Sequence, residues 1–166
     1  MALDEATRAS IASFKKAMKE RSDAVHTNAG KAVLGACVMV ENEAKLGMKT
    51  TQLDTSKKYK IGGRLNKKTH RLVGYKIHYP SQEWDYPAID TGRLWQSITH
   101  DISEHFGATI GRVGSNVDEG LFTEHGTSKM VPRPWLRPAL LRHREDIHAM
   151  LDDAARGREV SIESES

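Results

Sequence analysis

Cysteine is almost absent from this chain: Cys37 stands alone among 166 residues. One thiol excludes an intrachain disulfide and every thiolate metal cage. Its Ala/Val-rich setting predicts a small buried hydrophobe. Aromatics are scarce, with three tryptophans, four tyrosines and three phenylalanines, and the apolar share of 38% lies below the globular average. A core that thin predicts one modest domain that is completed by neighbouring subunits. No apolar run approaches the roughly 18 residues needed to span a bilayer, and the N-terminal Met-Ala-Leu-Asp-Glu has no signal-peptide pattern. An aqueous, reducing compartment is expected. No internal repeat is visible.

Catalytic patterns are equally lacking. The eight histidines include no HExxH arrangement. His143 and His148 are five apart, which is wrong for a shared helix face. Glu124-His125 would be an acid/base pair only if sequence neighbours pointed the same way. Gly111-Arg112-Val113-Gly114 lacks the further glycine of a dinucleotide fingerprint, and there is no nucleophile elbow or phosphate loop. The sequence predicts neither enzyme nor cofactor nor metal site.

What the chain does have is patterning. Ile11, Phe14, Met18, Val25, Ala29, Ala32, Ala36, Val40 and Ala44 recur at three- and four-residue steps, predicting a helix over 1–46 with one narrow, small-residue stripe. Gly30 and Gly35 predict a bend or break near Thr27–Gly35. Residues 47–88 read as an inserted hairpin. Tyr59-Lys60-Ile61 and Val73 to Tyr79 alternate around the turn-like Gly62-Gly63 and Asn66-Lys67-Lys68. Lys57, Lys58, Lys60, Arg64, Lys67, Lys68, Arg71 and Lys76 occur there with no acid between the first and the last. That basic ribbon suits either simple solvation or contact with nucleic acid phosphates or an acidic protein face. Without a recognition helix, contact with DNA would be of the backbone type.

Residues 89–157 read as sheet and closing helix. Ile98–Ile102 and Thr109–Ser115 alternate as strands around a turn at Glu104–Gly107. Leu136, Leu140, His143, Ile147, Met150, Leu151 and Ala154 predict one helix from Pro134 or Pro138 to Ala155. Residues 158–166 read as a disordered tail. The fold class is α+β: a short antiparallel sheet packed by a long N-terminal and a C-terminal helix, with the basic hairpin inserted.

The densest signal is Phe122–Leu140, read as a strand end, a glycine turn and a proline-stiffened helix entry. Pro132, Pro134 and Pro138 remove amide donors and fix backbone angles. Arg133 and Arg137 precede prolines and are biased toward extended geometry. Trp135 suits plain core or an anchor at an interface.

Three segments in order carry a resemblance: Pro87–Ile98 (PAIDTGRLWQSI), Arg112–Val117 (RVGSNV) and Phe122–Thr127 leading into Pro132–Leu140 (PRPWLRPAL). Together they are similar to the small neck proteins of long-tailed bacteriophages, the head–tail joining or tail-completion family. Its pattern runs through a long helix, "PvdTGrLrrSi", "vGtnv", "EfGT" and "rPflrPAl". The resemblance covers 1–46 loosely and 87–145 closely. Here residues 47–88 intervene where the family pattern is short, and Asp118–Phe122 replaces its usual "pYA".

The resemblance implies a structural virion protein that joins or completes the tail as a ring around the DNA channel. It would be made in the host cytoplasm. A hexamer is favoured over a dodecamer, with neighbouring neck and tail proteins and packaged DNA as partners. Implied assembly residues are Asp90, Thr91, Gly92, Arg93, Leu94, Phe122, Glu124, Gly126, Thr127, Arg133, Pro134, Trp135, Arg137 and Pro138. Asp90 is expected to cap its turn while Gly92 takes a left-handed conformation, and Arg93 is expected to pair with Glu124. The alternatives are a tail terminator of the same region and a small DNA-binding protein using the basic hairpin. A hydrolase using Glu124 and His125 ranks last.

Overall fold

The structure is a computed structural model that describes residues 4–158. All five prolines lie at or beyond Pro80, so nothing in the first part of the chain forbids helix. A 46-residue helix, α1 (Glu5–Thr50), results. The Asp4 carboxylate starts it by accepting a hydrogen bond from Thr7 N at 3.1 Å. Of the bend or break expected near Thr27–Gly35, the break is not there: the helix runs through both glycines. Each glycine weakens it by about 1 kcal/mol without supplying a reason to turn.

Residues 59–78 form two nested antiparallel ladders. Strand β1 (Tyr59–Ile61) pairs with β4 (Lys76–His78), and β2 (Arg64–Asn66) with β3 (Arg71–Val73). Asn66 makes the tip, its side-chain oxygen accepting from Lys68 N at 2.9 Å and Thr69 N at 3.3 Å. Gly62-Gly63, read as turn-like, instead lies between the ladders. The base is tied where Asp54 N donates to Pro80 O at 2.7 Å and Leu53 bridges Ser81.

Beyond it come α2 (Arg93–Ser97), β5 (Ile98–His105), β6 (Ala108–Ser115), α3 (Asp118–His125), α4 (Leu136–Arg142) and α5 (Arg144–Ala155). The strand pair stands where the alternation put it, with the turn narrowed from Glu104–Gly107 to Phe106-Gly107, and the fold is α+β. Two readings are corrected. Phe122–His125 is the second half of α3 instead of a strand end; Asp118 and Glu119 in its first turn complement the helix dipole. The closing helix is two helices, interrupted at His143 with φ −99° and ψ 11°; no proline or glycine accounts for that break. Of the expected tail, 159–166 lie outside the described residues.

The chain falls into two compact units. One comprises the chain up to Val38, Asp101–Arg112 and the chain from His143. Its core sets Ala32 of α1 against Ala154 of α5, with Met150 packed beside them. A Cβ at Gly111 would run into Cys37 and Val33, so β6 rests directly on α1. Cys37 is buried, as its setting implied. The apolar stripe of α1 is not covered along its whole length: Ile11, Phe14 and Met18 stand exposed.

The other unit comprises Met39–His100 and Val113–Arg142. Its buried side chains include Val40, Ala44, Met48, Tyr86, Ile98, Trp135 and Ala139. Glu43 is buried with them and pairs with Arg142. Tyr86 OH donates to Glu43 at 3.4 Å. Burial first, and the Glu43 charge next, push the Tyr86 phenol up to about 12.

Candidate assembly surface

Apart from Arg112, the three signature segments fall in the second unit and meet around Gly120. Ser97 and Ser115 join their hydroxyls at 2.7 Å, tying α2 to the end of β6. A Cβ on Gly120 would lie 3.2 Å from Ser115 and 3.3 Å from Leu94. The Trp135 indole N–H donates to Gly120 O at 3.0 Å. Trp135 is only 3% exposed, which makes it core of its own chain.

The connector between α3 and α4 is held on both sides. Gly126 ends α3 at φ 75°, where a Cβ would meet Met130 O at 2.7 Å. Thr127 and Met130 then pair as an isolated bridge. Arg133 N donates to Thr123 O at 2.7 Å and its Nε to Ser81 O at 3.2 Å. Pro132 O accepts from Trp84 N at 3.1 Å. Glu124 accepts from the backbone amides of Trp135, Leu136 and Arg137, at 2.8, 2.9 and 3.1 Å. It caps α4 across the connector, a role that neighbouring-residue logic had no way to reveal.

That role corrects the expected Arg93–Glu124 pair. Arg93 reaches Glu119 instead, at 3.3 Å and on the surface. Asp90 is also not the turn's cap: Arg93 N donates to Thr91 Oγ1 at 3.3 Å, and Asp90 lies 3.5 Å from His78. Gly92 does take the left-handed conformation, at φ 78°. Of the implied assembly residues, Asp90, Thr91, Arg93, Phe122, Thr127 and Arg137 are exposed. Gly92, Leu94, Glu124, Gly126, Arg133, Pro134 and Pro138 are half-buried.

Sequence reasoning missed a groove beside α2. It is lined by Met48, Pro87–Trp95, Glu119 and Thr123 and has a volume of about 220 Å³. Trp95 gives it a firm edge. Its indole N–H donates to Lys45 O at 3.2 Å, and the Lys49 ammonium sits 4.8 Å from its ring centroid.

In the basic hairpin the charges are not equivalent. Lys57 is occupied by Glu83 at 2.7 Å and Asp54 at 3.6 Å, and its pKa is raised, chiefly by the Glu83 hydrogen bond and charge. Lys60 lies over Tyr75, 4.5 Å from the ring centroid. Lys58, Arg64, Lys67, Lys68, Arg71 and Lys76 are exposed. Among the described residues no helix is long and apolar enough to cross a membrane. In comparisons with known proteins, no family model, no curated protein and no solved structure matches this chain.

Proposed function

We propose that this chain is a structural subunit of a tailed-phage neck, joining or completing the tail as a ring around the DNA channel. The observation that carries the reading is the convergence of Pro87–Ile98, Arg112–Val117 and Phe122–Leu140 on Gly120. Segments that resemble one family in order also form one connected piece of structure. The stripe of Ile11, Phe14 and Met18 and the thin apolar core suit a subunit finished by its neighbours. Mass measurement on purified particles, and on the protein mixed with neck components, tests this. A closed ring within the particle is expected; a strict monomer in every such sample sinks the reading.

The hairpin favours a second reading, a backbone-type DNA contact, because residues 57–76 hold no acid and all eight of their cations are exposed. Salt-dependent binding of duplex DNA by the isolated chain tests it.

A further inference from the structure

Phe106 caps the β5–β6 hairpin with its side chain entirely in solvent, at 104% exposure, and with φ at 48°. Gly107 follows at φ 78°. A two-residue connection with both φ values positive is a type I′ turn, whose first position favours Asn, Asp or Gly. A bulky aromatic is the wrong residue for the turn. Among the described residues the ring stacks on the neighbouring His105 alone, centroids 5.4 Å apart and 11° between planes, and that contact does not relieve the turn. That stack holds the ring in one presentation, as a docking residue needs. Trp84 is also exposed at positive φ, 67°, but its amide donates to Pro132 O, so its backbone serves the fold.

The second unit holds a receptor of matching size and chemistry. Met48, Pro87, Ile89 and Leu94 give its groove apolar walls. An apolar cavity of about 150 Å³ takes a benzene ring, and this groove has about 220 Å³. Glu104 stands exposed two residues from Phe106, and the exposed Lys49 sits over Trp95 at the groove's edge; within the lining the charges are mixed, Asp90 and Glu119 standing beside Arg93, which Glu119 already engages at 3.3 Å.

We propose that Phe106 of one copy seats in the α2 groove of a second copy, with Glu104 toward Lys49. This deepens the assembly reading and rests on it. Knob and groove are different patches, so the contact is heterologous and propagates head to tail until a ring closes.

The test is sedimentation and native mass measurement of the whole chain up to its solubility limit, with two variants. Phe106→Asn suits the turn, so it should raise the melting temperature by a few degrees and abolish self-association. Ile89→Glu alters an exposed groove residue, and should leave the chain folded and likewise monomeric. Mixed together, the two variants retain one intact knob and one intact groove, and should form a two-chain species and nothing larger. A wild-type chain that stays monomeric overturns the proposal. So does a Phe106→Asn chain that associates like wild type, or a mixture that yields no pair. Absence of the protein from phage particles would sink the neck reading and leave this contact standing.

Discussion

The Glu124 carboxylate accepts the backbone amide of Trp135 at 2.8 Å, so the last turn of α3 writes the start of α4. Two further amides, from Leu136 and Arg137, end on the same carboxylate. These are charge-assisted bonds to donors that a helix start leaves unpaired. Glu124→Ala should therefore cost about 1–2 kcal/mol, read as a lower urea midpoint at unchanged slope. Glu124→Gln should cost less, since its side-chain oxygen still accepts. By contrast, Arg93→Ala breaks only an exposed pair with Glu119 and should cost less than about 1 kcal/mol. Equal losses at Glu124 and Arg93 would contradict this division of roles.

Much of the element order was legible because its signals are local. The period-two runs placed β5 and β6, and the helical spacing placed α1, though without showing that it passes Gly30 and Gly35 unbroken. The partnerships were not legible. Glu124 could be paired with Arg93 on charge alone, and only the return of the chain through Pro132 and Pro134 makes three amides its partners. Nor does sequence show that the groove exists, because Met48, Ile89 and Thr123 come from distant parts of the chain. The division at His143 carries no sequence marker at all.

Trp135 separates core from interface experimentally. Its indole is buried and donates to Gly120 O. Trp135→Phe keeps most of the bulk but leaves that carbonyl short of a donor, at a cost of about 1–3 kcal/mol. Trp135→Ala should cost about 3–5 kcal/mol. Both losses should appear in chemical unfolding of the monomer. A residue that served only as an inter-subunit anchor would leave monomer stability unmoved.

Glu41 gives the fold an acid-sensitive tie. Burial alone would raise its carboxyl, but hydrogen bonds from His100 and Lys45, joined by their charges, hold it below the ordinary 4.5. Its contribution is thus fully present above pH 4.5 and is lost as pH falls through the lower folded value. Glu41→Gln should be less stable than wild type at pH 7, by about 1–3 kcal/mol. The gap should close as both proteins are taken to strongly acidic buffer. A gap that is constant with pH would show that Glu41 acts by packing alone.

The hairpin's unequal cations make the DNA reading quantitative. Each phosphate neutralised in duplex binding adds about 0.9 to the slope of log affinity against log salt. Lys67 and Lys68 flank the exposed tip that Asn66 organises. Replacing both with Gln should flatten the slope by about 2 if they contact the backbone. Lys57→Gln should change it less, because Glu83 already holds that ammonium at 2.7 Å. Filter binding or fluorescence anisotropy over a salt series reads both. If the Lys67/Lys68 variant keeps the wild-type slope, the tip does not touch the phosphates. If Lys57→Gln flattens it as much as the tip pair does, the ion pair with Glu83 opens on binding and the cations are equivalent after all.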